Sequence, residues 1–564
     1  MLKKLTLCLL LILALSAVIP VGATPLDELT TLAAQVPADT QVFAAFRIDS
    51  DYFDTLESIS ASIEATIGAE LPRDLQIENI SNPIEEELGS WIGTTAAAII
   101  TDTAPAVAGR DVPAIIAFAV TDRTAAEAFL DDILDGDDFT KTETEAYTLY
   151  AGGSFDIHYL VRDDAMLITL MPDMPAETLL FDFDTSLAES EAFIEAQASL
   201  PEDEYNIFVY ADLPAILGPV APLAGLALSG TPLAGADIAA IPDALGPLTI
   251  GLTIFDDRTL VVDVVEPVID SEALGLSDAR PRLALDFLSL VPADAALVIH
   301  DRGIGKGFVS LLDGIDALGE QLDAAGIALP ELTGAEVDDP VGELILNEIN
   351  IDDLAAFTRL TFRGLTGLTI EDGLGWMTDD YINYLSVRTD DGALSFENSL
   401  LVAVTDVEAA NALFAALQDT ADQVSVEATL EGDILALETG STIRSVLPRT
   451  DLVISDLLIG QTDEVFAVGT RAGVEFALNP TDDSLVTDPT FMTASEYFLP
   501  DTVTLLYASV AAPAEALQGA LRQMDRGVAD AIGLLGVIES ASITATSAEE
   551  RPGVLRLAMT IAGE

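Results

Sequence analysis

The sequence predicts an α+β protein of two homologous halves, each mostly antiparallel sheet with packed amphipathic helices. Three observations carry this. Several phrases occur twice in the same order, such as "AFAVTDRTAAEAFLDDIL" from Ala117 and "LVAVTDVEAANALFAALQ" from Leu401. Short apolar runs rich in strand formers are joined by turn pairs, Asp163-Asp164 and Asp256-Asp257, that suit hairpins. Helical stretches with one apolar face lie between those runs, and hairpins with intervening amphipathic helices point to α+β with mostly antiparallel sheets.

Residues 1–23 read as a secretory signal peptide. Lys3 and Lys4 precede an apolar run from Leu5 to Val18, and Val21-Gly22-Ala23 offers the small residues of a cleavage site. Cleavage near Ala23 would place the mature protein outside the cytoplasm, secreted or in the cell envelope or periplasm. Cys8 is the only cysteine and leaves with the signal. The mature chain then has no disulfide, thiolate metal site or cysteine nucleophile. Cys8 stands at the start of the apolar run, and lipidation would need it at the end.

The first half spans 24–270. Val36-Pro37-Ala38-Asp39-Thr40 fixes φ at proline, turns at aspartate and leads into the strand "QVFAAF". Trp91 follows, then the phrase quoted above: a strand to Val120, Asp122 as helix cap, and Ala126, Phe129, Leu130, Ile133 and Leu134 on one helical face. "SLAESEAFIEAQASLPEDEYNIFVYADL" from Ser186 adds a helix and a strand, and "TLVVDVVEPV" from Thr259 ends the half. A polar, turn-prone linker falls at 271–282.

The second half, 283–564, repeats the order: Val291-Pro292-Ala293-Asp294-Ala295, Trp376, Asp406 with Ala410, Leu413, Phe414 and Leu417, "SLVTDPTFMTASEYFLPDTVTLLYASV" from Ser484, and "VLRLAMTIAG" from Val554. Its largest insertion lies between Ile315 and Leu374. What the copies share is core positions and caps. The polar positions change freely, for example Asp131 to Ala415, which marks a structural phrase and not a catalytic one.

Asp and Glu number 95 against 23 Lys and Arg, a formal charge of −72. Mean hydropathy is +0.41, so the chain is folded and not an acidic disordered segment. An acidic skin repels nucleic acid and anionic headgroups. It collects cations weakly at its surface, and crowding is expected to raise carboxyl pKa values.

No constellation fixes a reaction. His158 and His300 read as structural histidines. H-E-x-x-H and G-x-S-x-G are absent. Gly303-Ile304-Gly305-Lys306-Gly307 lacks the rest of a phosphate loop and reads as a flexible turn. The acidic groups Asp131, Asp132, Asp135, Asp137 and Asp138, and Asp182 with Asp184, miss the calcium-loop pattern and read as solvated surface. The stretch from Leu213 to Ala236 is uncharged. Its prolines and glycines oppose a transmembrane helix, leaving a buried helix and loop or an apolar flap.

The phrases Val36-Pro37-Ala38-Asp39-Thr40, "AVTDRTAAEAFL" from Ala119 and "SLAESEAF" followed by Leu200-Pro201 resemble a family of secreted bacterial proteins, domain of unknown function 3352. That resemblance implies export and repeat-like construction over most of the mature chain. It supplies no catalytic residue.

The expected function is therefore a secreted or envelope-associated, non-enzymatic binding or scaffold protein. No catalytic, cofactor-binding or metal residue is assigned and no cofactor is expected. Partners would be an envelope component or an apolar ligand, not nucleic acid. Two alternatives stand beside it: carriage of a lipid or other apolar ligand, and, with only abundant acids behind it, hydrolysis of cell-wall polymer.

Overall fold

The computed structural model describes residues 23–67, 91–107, 112–135, 139–152, 157–169, 175–181, 183–219, 242–255, 258–267, 280–325, 351–390, 393–423, 428–431, 434–437, 442–444, 451–453, 457–521, 529, 532–533, 535–547 and 552–562. The signal segment up to residue 22, most of the uncharged stretch and most of the 271–282 linker lie outside the described residues, as do Asp137, Asp138, Asp182 and the Asp256-Asp257 turn. The fold is mixed α+β with antiparallel sheet, as the hairpin turns and helical faces predict. The chain forms two compact units. Unit 1 comprises Met1–Ala227, Asp237–Arg280 and Ala545–Glu564, and unit 2 comprises Leu228–Ala236 and Pro281–Thr544.

In unit 1 the sheet strands are β1 (Val42–Arg47), β2 (Ile92–Ile100), β3 (Ala114–Val120), β4 (Phe139–Glu143), β5 (Thr148–Gly152), β6 (Tyr159–Val161), β7 (Ala165–Thr169), β8 (Ile207–Ala211), β9 (Leu248–Phe255) and β10 (Thr259–Val265). Antiparallel pairing sets the order β10-β9-β8-β1-β2-β3-β7-β6-β5-β4. The C-terminal strand, Val554–Ile561, extends the sheet beyond β10, with Thr259 opposite Thr560 and Val265 opposite Val554. The division at 283–564 placed this strand in the second half. It belongs to unit 1 because β10 offers it a free edge and Asp263 an acid for Arg556.

In unit 2 one run of paired strands comprises β11 (Ala295–Arg302), β12 (Asp380–Asp390), β13 (Ala393–Ala403), β14 (Ala428–Glu431), β15 (Ile434–Leu437), β16 (Leu457–Gln461), β17 (Val465–Gly469) and β18 (Thr504–Ser509). Antiparallel pairing gives β18-β11-β12-β13-β17-β16-β15-β14. That path has the same form as β8-β1-β2-β3-β7-β6-β5-β4 of unit 1. Both copies of the proline phrase also make the same isolated bridge, Pro37 to Ser186 and Pro292 to Ser484.

The helices used below are α1 (Arg123–Ile133), α2 (Glu191–Ala198), α3 (Ile304–Ala325), α4 (Ile351–Thr366), α5 (Val407–Gln423), α6 (Arg471–Leu478), α7 (Pro489–Ser495) and α8 (Ala511–Leu521). The twice-written phrase is a strand running into a capped helix. Asp122 accepts from the Ala125 N–H at 3.1 Å, and Asp406 from Ala409 at 3.0 Å. Ala126 and Leu130 are buried with Trp91, as Ala410 and Leu413 are with Trp376. Thr121 and Thr405 hydroxyls donate to the Trp91 and Trp376 carbonyls at 3.0 and 2.9 Å. Ile133, expected on the apolar face, is about half exposed at the last turn of α1.

Gly303 to Gly307 is not a flexible turn. Gly303 takes a positive φ of 74°, and α3 begins at Ile304. A Cβ at Gly305 would lie 1.8 Å from the Leu374 carbonyl oxygen, so glycine there permits a close backbone approach. The inserted region supplies α4, which Arg359 ties to α3 through Asp313 at 2.6 Å and Asp316 at 2.5 Å.

Candidate functional site

A cavity of about 550 Å³ opens in unit 2, where the second proline phrase meets the Ser484 segment. Chain-distant pieces build its wall. Pro292 to Ala295 enter β11, Val387 comes from β12, and Phe476 from α6. Thr481 and Asp483 sit on the loop after α6, Asp488 and Thr490 at the start of α7, and Ser509, Ala512 and Pro513 where β18 turns into α8.

Local hydrogen bonds explain why these segments hold their places. The Ala293 N–H donates to the Asp483 carbonyl at 3.3 Å, and Leu485 N–H to the Val291 carbonyl at 2.8 Å. Thr487 Oγ1 donates to the carbonyls of Asp482 and Ser484, both at 2.8 Å. Asp488 caps α7 by accepting from the Phe491 N–H at 2.8 Å, and Pro489 occupies the first helical turn, where its missing N–H costs nothing. Phe491 then packs edge-on to Tyr507 of β18, ring centroids 4.9 Å apart. Unit 1 repeats that contact between Phe193 of α2 and Tyr210 of β8, at 5.3 Å.

The wall is a mixture of apolar groups, three carboxylates and three side-chain hydroxyls, with no histidine, lysine or arginine in it. Behind it the Tyr507 side chain is fully buried, and its hydroxyl completes no well-aligned hydrogen bond. Burial, then the Asp488 carboxylate, push the Tyr507 phenol well above its usual range. It stays protonated, able to donate.

Charged centres elsewhere are closed on themselves. In unit 1, Arg556 clasps Asp263 through Nε at 2.6 Å and Nη2 at 2.9 Å, and Nη2 also reaches Glu202 at 2.7 Å. Tyr205 donates to Asp263 at 2.9 Å. Asp263 is wholly buried and Arg556 nearly so. Burial alone would lower the Arg556 pKa, and the bonds to Asp263 and Glu202 reverse that and raise it. In unit 2, His300 Nε2 lies 2.8 Å from Asp380, which also accepts from the Ala284 N–H at 2.9 Å and pairs with Arg302 at 3.3 Å. Burial would raise the Asp380 carboxyl, but His300, Ala284 and Arg302 together hold it below the usual carboxylate range.

The other residues singled out in the sequence fall apart from the cavity. His158 Nδ1 accepts from the Gly152 N–H at 3.1 Å, and its own N–H donates to Thr169 at 2.9 Å, tying β5 to β7. Asp131 pairs with Lys141 at 2.9 Å and is held below its usual range by that bond first. Among the described residues no group of three or more His, Cys, Asp or Glu is arranged to hold a metal ion. No described helix is long and apolar enough to cross a membrane.

The cavity residues escaped the sequence reading. Their signal was the pairing of two repeated phrases, Val291 to Ala295 and Ser484 onward, each legible as structure but far apart in the chain. Compared with protein-family models, curated proteins and solved structures, the chain matches none of them.

Proposed function

We propose that this chain is an exported, non-enzymatic binding protein built from a duplicated α+β unit, and that the unit 2 cavity seats its ligand. The cavity is the observation that carries the reading. Its volume lies within the range of small-molecule sites, and its polar groups converge from distant segments. Its carboxylates and hydroxyls lack a neighbouring imidazole, amine or thiol in the wall, so no hydroxyl has a base of that kind to activate it. Asp488 is engaged in a helix cap, which suits a rigid wall better than proton transfer.

Duplication is supported by the matching strand orders, the two Pro–Ser bridges and the two Thr–Trp hydrogen bonds. Export rests on the signal-like residues 1–23, and the resemblance to secreted repeat proteins agrees with it. The apolar-ligand reading is weaker here, because carboxylates line the cavity. The test is native mass spectrometry of protein purified from its expressing cells, with a thermal-shift screen of charged, neutral and apolar small molecules. A retained or stabilising small molecule is expected, and the mass of the mature chain should begin near residue 24. Turnover of any screened compound would replace the binding reading with an enzymatic one.

A further inference from the structure

We propose that the outer face of α4 rests on the surface of a zwitterionic phospholipid bilayer. This face is separate from the cavity, whose lining includes no residue of α4.

α4 is turned opposite to an ordinary surface helix, which buries its apolar stripe and shows its charges to water. Here Arg359 reaches back to α3, 2.6 Å from Asp313 and 2.5 Å from Asp316. Ala355 is buried, and Phe362 packs with Leu312 and Ile370. The outward positions are Ala356, Phe357, Leu360, Thr361, Gly364 and Leu365, all exposed. Their spacing of i, i+1, i+4, i+5, i+8 and i+9 makes one continuous stripe. Phe357 is 60%, Leu360 71% and Leu365 47% exposed, so large apolar side chains dominate it. A side chain built at Gly364 would meet no atom within 4 Å, so the middle of the stripe opens on free space. Between Ala355 and Thr366 there is no acid, in a chain where 95 of 564 residues are acidic.

Charge and area select the occupant. The charge bordering the stripe is Arg363, exposed and in no ion pair among the described residues. A zwitterionic headgroup offers that guanidinium a phosphate and brings no net charge against a chain of −72. An anionic membrane would add repulsion, and a second copy would bring another −72. A second copy also needs more surface. The 16 residues of α4 give a face about 24 Å long and about 10 Å wide, roughly 240 Å². A stable complex takes about 800 Å² from each partner. A bilayer sets no such threshold, because a helix lies with its apolar side about 5–10 Å into the headgroup boundary. Phenylalanine and leucine beside a flanking arginine are side chains that this placement uses. α4 would lie on the membrane and not cross it, since no described helix is long and apolar enough to do so.

Sedimentation of the full mature chain with phosphatidylcholine vesicles, read as bound fraction against lipid concentration, tests this. Saturable binding is expected. Leu360→Gln should weaken it about tenfold, the scale of burying one leucine. Phe357→Gln together with Leu360→Gln should abolish it. Arg363→Gln should weaken it about threefold, the scale of one exposed ion pair. Ile194→Gln, which changes a half-exposed apolar residue of unit 1, should leave it unchanged. Vesicles of equal parts phosphatidylcholine and phosphatidylglycerol should bind more weakly, and added salt should narrow the difference. Thermal melts check that each variant folds. Leu360→Cys carrying a polarity-sensitive dye replaces any that does not: its emission should shift to the blue on phosphatidylcholine, and that of the same dye on Ile194→Cys should not. A folded chain that ignores phosphatidylcholine, or binding that Phe357 and Leu360 do not alter, would overturn the proposal. So would a parent chain that sediments as a dimer and becomes a monomer in Leu360→Gln, which would give the face to a second copy.

Discussion

At the scale of single residues, the buried ion pair of Arg556 with Asp263 joins the chain's last strand to the rest of unit 1. Removing Asp263 leaves Arg556 charged and buried, with Glu202 as its remaining carboxylate partner. Asp263→Ala should therefore cost about 3–5 kcal/mol, and the double change Asp263→Leu with Arg556→Met should recover most of that loss, because a packed apolar pair avoids the desolvation. Urea melts followed by Trp91 fluorescence would measure both, since Trp91 is buried in unit 1. A double variant no more stable than the single one would show that the pair itself, and not its desolvation, sets the energy. Asp380 gives unit 2 a pH dependence. Its folded carboxyl lies below the usual value, so its contribution is complete above the unfolded value of ~3.9 and disappears as pH falls through the folded one. Urea midpoints read from Trp376 fluorescence should fall below about pH 4. Asp380→Asn should remove that part of the slope, and an unchanged slope would assign the acid loss to other groups.

At the scale of elements, the twice-written phrase is held by its caps. Asp122 and Asp406 each satisfy one free N–H at the start of α1 and α5. Asp122→Ala and Asp406→Ala should each cost about 1 kcal/mol, the usual value of an N-cap carboxylate. They lie in different units, so their effects should add. Differential calorimetry of the two single variants and the double one would check both size and additivity. A cost well above that for Asp122→Ala alone would mean that its carboxylate does more than cap. The strands divide differently. A strong run such as β3 was legible because both of its faces are apolar. The assignment of Val554–Ile561 to unit 1 was not, because strand pairing depends on which edge is free.

At the scale of the whole molecule, net charge dominates. Only 23 basic residues face 95 acids, so ion pairs can neutralise few of them. The melting temperature should rise with monovalent salt, as the screening length falls from about 30 Å at 0.01 M to about 3 Å at 1 M. A falling melting temperature would show that specific pairs outweigh repulsion. Crowding was expected to raise carboxyl pKa values, yet Asp131, Glu189 and Asp380 are all lowered. Each accepts directed hydrogen bonds, and a short bond outweighs diffuse repulsion. Acid therefore weakens these sites as pH falls below the ordinary carboxyl values of about 4, and does not relieve them.

The sequence alone determined what depends on neighbours in the chain: the alternation of strands and helices, the caps at Asp122 and Asp406, the turn at Asp163-Asp164, the repeated phrases and the acidic excess. These are local, because periodicity and turn chemistry act over a few residues. Tertiary structure decided what depends on distance in space. It turned Gly303 to Gly307 from a turn into a helix start, because the Leu374 backbone passes where a side chain would stand. It gave Asp263 a partner 293 residues away in Arg556. It brought Asp294, Asp483 and Asp488 to one recess, although each reads in sequence as an ordinary strand, turn or cap residue. The wall of a recess is a coincidence of surfaces, and only the folded chain sets which surfaces meet.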